Sequence, residues 1–447
     1  MSLSLSEAAA ITGGRVHGAD GLFTGMAIDT RWLLPEQLFV ALAGEHTDGH
    51  GFLPEARARG AAAALVERPV DDHLRQLEVA DCRAAMGRLA AHWRARFDVP
   101  VVAITGSNGK TTVRAMMAAI LGEAGRVLAT EGNLNNDLGV PLTLARLAPD
   151  HDYAVVEMGA NHRGEIAALA ALACPTVALI TQCAPAHLEG FGSIQGVAEA
   201  KGEIYGALGD DGFAVINADD DFAPLWRGLA GNRHRLTFGL AAPADVTATW
   251  QAGAGGSELR IASPVGSFGV HLPLPGRHNV CNALAATAAA LALGLGPETI
   301  AAGLARVAGV GGRLQLRPGM RGARVVDDSY NANPGSLLAA IDFLRELDAE
   351  GWLVLGEMAE LGEEAPRLHR EAGEYARRAG VERLYAVGAL GAEAVAGFGA
   401  GGRHYDGRAS LIADLEDALH DGVAVLVKGS RSARMDEVVA ALVRENG

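Results

Sequence analysis

Short runs of apolar residues alternate along this chain with longer stretches in which apolar positions recur every three or four residues. VVAIT (101–105), YAVVEMG (153–159), VALITQC (177–183) and FAVINADD (213–220) belong to the first kind. Each is bounded by turn residues and reads as a strand buried on both faces. The segments between them carry helical periodicity, so the centre of the chain is expected to form a doubly wound parallel sheet with helices on both faces. Near 245–275 the pattern becomes ADVTATWQAGAGGSELRIASPVGSFGVHLPL, short alternating runs with glycine turns, which predicts a small antiparallel addition. PGRHNVCNALAATAAALALGL (275–295) then opens on a Pro-Gly turn and continues as a long helix.

The flanks are organised differently. Up to about residue 81, short strands and helices mix with many turn residues, LFVALAG (38–44) and AAAALVE (61–67) being the clearest strands. CRAAMGRLAAHWRARF (82–97) is helix-like and leads into the central sheet. Glycines cluster again in GVGGRLQLRPG (309–319). Beyond them ARVVDDSY, GWLVLGEMA, RLYAVGA and VAVLVKGS are strand-like runs separated by helices, a second and smaller α/β unit. The expected domains are 1–81, 82–312 and 313–447, in keeping with 447 residues at roughly 150 per domain.

Composition adds exclusions. With 49% apolar and 20% charged residues the chain is an ordinary soluble globular protein. A net charge of −15 argues against nucleic acid or an anionic membrane as a main partner. Cys82, Cys174, Cys183 and Cys281 show no C-x-x-C spacing and sit in apolar segments, so they are expected to be reduced core residues of a cytosolic protein. The N-terminus lacks a signal-peptide pattern, and no apolar stretch has the length and flanks of a membrane span. A cytoplasmic monomer is expected.

The strongest chemical signal is TGSNGKTT (105–112), set between the apolar run VPVVAI and the helix-like VRAMMAAILGEAG. Strand, glycine-bearing turn and helix in that order make a phosphate cradle. Backbone N–H groups of Gly106, Ser107, Asn108 and Gly109 and the helix N-terminus face anionic oxygens, while Lys110 adds a point charge. Thr111, followed by Thr112, is placed to offer its hydroxyl to a magnesium ion held between phosphates. Ile104 stands where an eight-residue phosphate loop has its first glycine, so the loop is a shortened form. Binding of a nucleoside triphosphate is the expectation.

Other candidates are weaker taken singly. Glu157 ends a strand at the crevice where parallel sheets bind ligands; it suits magnesium, or a structural bond. His187 lies in a loop of small residues and reads either as a ligand or as a solvated histidine. Lys201, beside Glu199 and Glu203 on a helix, reads most simply as a surface salt-bridge lysine. Asn279 and Asn282, three apart on a first helical turn next to His278, could read a base edge or cap the helix. VVDDSYNANPGS (325–336) crowds Asp327, Asp328, Tyr330, Asn331 and Asn333 after a buried run. LVKGSRSARM (426–435) gathers Lys428, Arg431 and Arg434, a carboxylate or phosphate site or a solvated basic loop.

Taken in order, TGSNGKTT, VVEMGANHRGEI, AHLEGFGS…AKGEI, GRHNVCNA and GRLQL resemble the motifs of the Mur ligases, ATP-dependent amide-forming enzymes of peptidoglycan synthesis. The resemblance spans essentially the whole chain. DTRWLLPEQLFVALAGEHTDGHGF (29–52) is similar to the UDP-binding first domain of the members that add the third and the final residues. DDSYNANP, LGEMAELGEE and VLVKGSRSARM resemble the member making the final addition. The Asp-Tyr-Ala-His and Asp-Asn-Pro-Arg motifs expected of the diamino-acid-adding member do not occur.

That resemblance implies D-alanyl-D-alanine joined to UDP-N-acetylmuramoyl-tripeptide through an acyl phosphate, with ATP and two magnesium ions. It implies catalytic and nucleotide roles for Lys110 and Arg313 on phosphate, Asn279 and Asn282 on adenine, and Asp328 on ribose. Thr111, Glu157, His187 and a carbamylated Lys201 would form the magnesium sites. Thr30, Arg31, Asp48 and His50 would contact the UDP substrate. Tyr330, Asn331, Asn333, Lys428 and Arg431 would line the dipeptide site. The last domain would then have to close onto ATP. Two departures from the family pattern are Thr30 in place of serine and Glu357 in place of aspartate. Two competing readings are a folyl-polyglutamate-like ligase and a nucleotide-binding regulator without catalysis.

Overall fold

The computed structural model describes residues 1–44, 47–253 and 255–443. Glu45 and His46, within the 29–52 motif, Ala254, within the predicted antiparallel segment, and the last four residues lie outside the described residues.

The central sheet has six parallel strands in the order His234–Phe238, Phe213–Asn217, Val177–Ile180, Val101–Thr105, Tyr153–Glu157, Val127–Ala129. Period-two alternation splits Val101–Thr105 between two cores. Val101 and Ala103 pack with Cys82, Met86 and Leu89 of the helix Cys82–Arg94. Val102 and Ile104 pack with Val113 and Met117 of the helix Lys110–Gly122 and with Ala283 and Ala286 of the helix Arg277–Ala292. The chain turns from one half of the sheet to the other beside Val101–Thr105, so the crevice lies at the carboxyl end of that strand. Thr247–Gly253, Gly256–Ser263 and Gly266–Leu272 form the antiparallel addition.

The first part of the chain folds as a five-stranded sheet, Arg15–His17, Gln76–Glu78, Ala63–Val66, Leu38–Val40, Met26–Ala27, beside the pair Ser2–Ser4 and Leu22–Thr24. Leu3, Phe23, Leu38 and Val40 share one apolar core with the helix Cys82–Arg94 and the central sheet. The strand expected over 38–44 stops at Val40, where the Leu42 N–H turns back to the Val40 carbonyl. The helix expected over 82–97 stops at Arg94, whose guanidinium gathers the carbonyls of Phe97, Val99 and Ala173.

The last part holds a six-stranded sheet, Gln315–Pro318, Arg324–Asp328, Val423–Lys428, Glu350–Leu355, Arg383–Val387, Gly402–Tyr405, parallel except at its first pair. Val127–Ala129, His234–Phe238, Gln315–Pro318 and Gly402–Tyr405 were not singled out by pattern; each lies at a sheet edge with one neighbour, where apolar runs are short or mixed with polar residues. All four cysteines are free, but Cys174 is exposed and Cys183 and Cys281 are half-buried, so only Cys82 fits the expected core placement. Among the described residues no helix is long and apolar enough to cross a membrane.

Candidate active site

The phosphate loop is built against its neighbours. Gly106 has φ +148°, and a Cβ there would stand 1.8 Å from Thr181 Oγ1. Gly109 has φ +82°, and a Cβ would stand 2.4 Å from Asn282 Oδ1. Both positions need glycine for conformation and for space. The Ser107 N–H donates to the Gln182 carbonyl at 2.8 Å, and Thr181 Oγ1 donates to the Asn108 carbonyl at 2.5 Å. The next strand therefore fixes the loop's shape. Lys110 Nζ folds back to the Gly106 carbonyl at 2.7 Å. Burial lowers its pKa, and the Glu157 carboxylate opposes that shift.

Glu157 closes the strand Tyr153–Glu157 and is buried. Its Oε1 accepts from Asn135 Nδ2 at 2.8 Å and Thr111 Oγ1 at 3.2 Å. Oε2 has no hydrogen bond; the Arg114 Nε lies 3.3 Å away, out of alignment. A buried carboxylate with one oxygen that accepts no hydrogen bond, beside a helix-start hydroxyl, suits a hard divalent cation. Among the described residues no group of three or more His, Cys, Asp or Glu side chains converges.

Lys201 is not on the surface. It is 3% exposed, its Nζ 6.0 Å from the centre of the Phe191 ring. Its sequence neighbours have other partners: Glu199 pairs with Arg163, and Glu203 caps the helix Glu165–Ala173 through the N–H groups of Gly164 and Ala167. Burial, reinforced by the charge of Lys110, brings the Lys201 amine down to about 7. His187, at φ 52°, packs edge-on against the same Phe191 ring and turns Nδ1 to the carboxylate of Glu360 from the last domain. Burial lowers its pKa, and Glu360 opposes this.

One wall of the cleft lies on the helix Arg277–Ala292. Asn279 is buried and donates Nδ2 to the Pro275 carbonyl at 2.8 Å, so that N–H is not free for a base edge. Its Oδ1 accepts from Asn282 Nδ2 at 3.3 Å, so Asn282 carries the freer amide, next to Gly109. His278 stands beside them, and burial pushes its pKa down to about 4.

The last domain meets this surface. Asn108 and Asn333 exchange two amide hydrogen bonds, at 2.7 and 3.2 Å. A Cβ on Gly335 would lie 3.2 Å from that of Ala184. Arg313 follows the glycine-rich connection and stacks on Tyr330, with Arg431 on the same ring at 5.7 Å. Asp328 is buried: Oδ1 accepts from the Leu314 N–H at 3.2 Å and Oδ2 pairs with Lys428 Nζ. Lys428 is 2% exposed and also donates to the Asn331 carbonyl at 3.0 Å. The expected basic cluster therefore divides: Lys428 is internal, while Arg431 lines the cleft and Arg434 pairs with Glu437. Between the domains runs a cleft of about 820 Å³ lined by the phosphate loop, His187, Asn279, Asn282, Arg313 and Arg431.

Thr30, Arg31, Asp48 and His50 lie apart from this cleft, in the first domain. Arg31 pairs with Asp29 at 2.6 Å and is exposed. His50 is buried, with Nδ1 on Asp48 at 2.7 Å and Nε2 accepting from the Glu67 N–H at 3.0 Å. Sequence reasoning missed Thr181, Asn135 and Glu360, each of which acts on the site through an element distant in the chain.

A shortened phosphate loop at the switch point of a parallel sheet, faced by a second α/β domain carrying Arg313, defines a nucleotide-using enzyme that assembles its site between domains. Residues 22–94, 104–290 and 312–431 match the models of the "Mur ligase family, catalytic domain", the "Mur ligase middle domain" and the "Mur ligase, glutamate ligase domain". The chain is 47% identical to the UDP-N-acetylmuramoyl-tripeptide–D-alanyl-D-alanine ligase of Escherichia coli strain K12 over 100% of this chain and 99% of that protein. A crystal structure of MurF from Acinetobacter baumannii superposes with TM-score 0.93 at 35% identity, covering 98% of each chain. MurF ligase from Thermotoga maritima, solved with ADP, superposes with TM-score 0.82 at 28% identity over 94% of this chain and 96% of that one. The chain belongs to the Mur ligase family, and it is a ligase.

Proposed function

We infer that this ligase joins D-alanyl-D-alanine to UDP-N-acetylmuramoyl-tripeptide at the expense of ATP, giving the UDP-linked pentapeptide, ADP and phosphate in peptidoglycan precursor synthesis. The full-length likeness to the Escherichia coli enzyme of that name carries the substrate assignment. Lys110, His187 and Arg313 line one cleft, and Glu157 and Lys201 lie close enough to Lys110 for the charges to act on one another, which supports catalysis rather than nucleotide sensing. A reaction that consumes ATP suits the cytoplasm.

Hydroxide is a poor leaving group, so the tripeptide carboxylate must be activated. Its attack on the γ-phosphorus of ATP gives an acyl phosphate and ADP. The dipeptide amine then attacks the acyl carbon, and phosphate departs. Lys110 and Arg313 face the phosphoryl group from two domains and offset the charge gathered there in both steps. The loop N–H groups orient the chain of phosphates. Asn108 and Asn333 join the two domains beside the cleft, where their contact would help keep water from the acyl phosphate.

Thr111 and Glu157 would hold one magnesium ion, and His187 with a carbamylated Lys201 would hold a second; when bound, these ions supply Lewis-acid stabilisation of the phosphoryl oxygens. A buried lysine brought to about 7 has a large share of neutral amine near neutral pH, the form that adds carbon dioxide, and the carbamate's negative charge would answer the positive charge of Lys110. Phosphate release from ATP should require both UDP-N-acetylmuramoyl-tripeptide and an amine. Release without either would contradict the amide-forming mechanism, and ATP binding with no turnover for any amine would favour the regulator reading.

A further inference from the structure

The amide oxygen of Asn333 is fully occupied by protein. Asn333 is the N-cap of the helix Pro334–Glu346, where its Oδ1 accepts from the Ser336 N–H at 2.9 Å and its own N–H donates to Ser336 Oγ at 3.1 Å. That cap fixes the amide's orientation, because only the oxygen can accept from a backbone N–H. Nδ2 is then directed at Asn108 Oδ1, 2.7 Å away, and Oδ1 takes a second bond from Asn108 Nδ2 at 3.2 Å. Both lone pairs of the oxygen are used and one N–H remains. An incoming ammonium finds no acceptor on this side chain.

Asn108 is equally constrained. It sits in the phosphate loop, its carbonyl held by Thr181 and its side chain by Asn333. Gly335, one residue into the helix, lets the domains approach, since a Cβ there would already press on Ala184. The phosphate loop is thus joined directly to the start of a helix in the other domain.

We propose that Asn108 and Asn333 form a clasp that couples occupancy of the phosphate loop to closure of the last domain, and that Asn333 is a positioning residue rather than a contact of the dipeptide. Its catalytic readout rests on the ligase function above; its closure readout does not. The clasp brings Arg313 and Tyr330 to the nucleotide without touching either reactant.

The test uses N333S, in which serine keeps the helix cap but cannot reach Asn108, together with N108A, which leaves the cap untouched, and the double variant. Small-angle scattering on the full chain, with and without a non-hydrolysable ATP analogue, reads closure. Turnover reads kcat and the KM for D-alanyl-D-alanine. Wild type should compact on adding the analogue; each variant should stay extended and lose about ten-fold in kcat, the scale of one or two net hydrogen bonds. The double variant should lose no more than the worse single. Compaction like wild type in N333S, with the loss confined to the KM for D-alanyl-D-alanine, would overturn the proposal and return Asn333 to the dipeptide site. Additive losses in the double variant would overturn it too. Lost compaction in an enzyme that proves to take another amine would leave the clasp standing and move the substrate.

Discussion

The guanidinium carbon of Arg313 lies 4.4 Å from the centre of the Tyr330 ring. The two residues are fixed to one another a second way, the Tyr330 N–H donating to the Gly312 carbonyl at 3.2 Å. Arg313 thus reaches the cleft as part of a unit with the loop that follows Arg324–Asp328.

Tyr330 should therefore affect phosphoryl transfer without touching phosphate. Tyr330→Phe keeps the ring face and should stay within about two-fold of wild-type kcat. Tyr330→Leu removes the stack, worth about 0.5–2 kcal/mol, and should cost roughly 2- to 30-fold in kcat. Steady-state rates at saturating dipeptide check this. Equal losses in both variants would place the tyrosine hydroxyl, not the stack, in the reaction.

Asp328 and Lys428 are a buried pair at the ends of adjoining parallel strands. Burial raises the Asp328 carboxyl and lowers the Lys428 ammonium, and their mutual attraction opposes both shifts. Removing one partner strands the other. Lys428→Met should destabilise the last domain by about 3–5 kcal/mol, and Lys428→Met combined with Asp328→Asn by clearly less. Urea unfolding of the two variants makes the comparison.

Lys201 should bind carbon dioxide. Protein equilibrated with ¹³C-bicarbonate is expected to show a single carbamate resonance that disappears in Lys201→Arg. Turnover in carbonate-free buffer should fall and return on adding bicarbonate. Absence of the resonance in fully active protein would remove carbamylation from the mechanism.

His278 gives a stability prediction with a definite sign. Its folded pKa of about 4 lies below the ordinary histidine value, so the unfolded chain binds the proton more readily. Its contribution is fully present above about pH 6.5 and is lost as pH falls towards 4. His278→Gln should flatten the pH dependence of unfolding in that window, measured by denaturant titration at several pH values, and leave the plateau above pH 7 without a slope of its own.

Much of this was legible in the chain. The central strands were plain because they are buried on both faces, and Gly106 to Thr111 declared a phosphate loop by local order alone. Lys201 was not legible: flanking Glu199 and Glu203 suggest a surface, and the structure shows that both turn to other partners. Resemblance, rather than pattern, pointed to it. Glu360 had no signal, because its meeting with His187 depends on how two domains sit. The edge strands escaped for a simpler reason: one-sided pairing leaves a weak apolar pattern.

The most direct test is the mass of the product. Purified enzyme with ATP, magnesium, UDP-N-acetylmuramoyl-tripeptide and D-alanyl-D-alanine should convert the tripeptide to a species heavier by one dipeptide less one water. With ¹⁸O in the tripeptide's terminal carboxylate, one labelled oxygen should leave in the released phosphate. No mass increase with this dipeptide, or an increase without label transfer, would contradict the account.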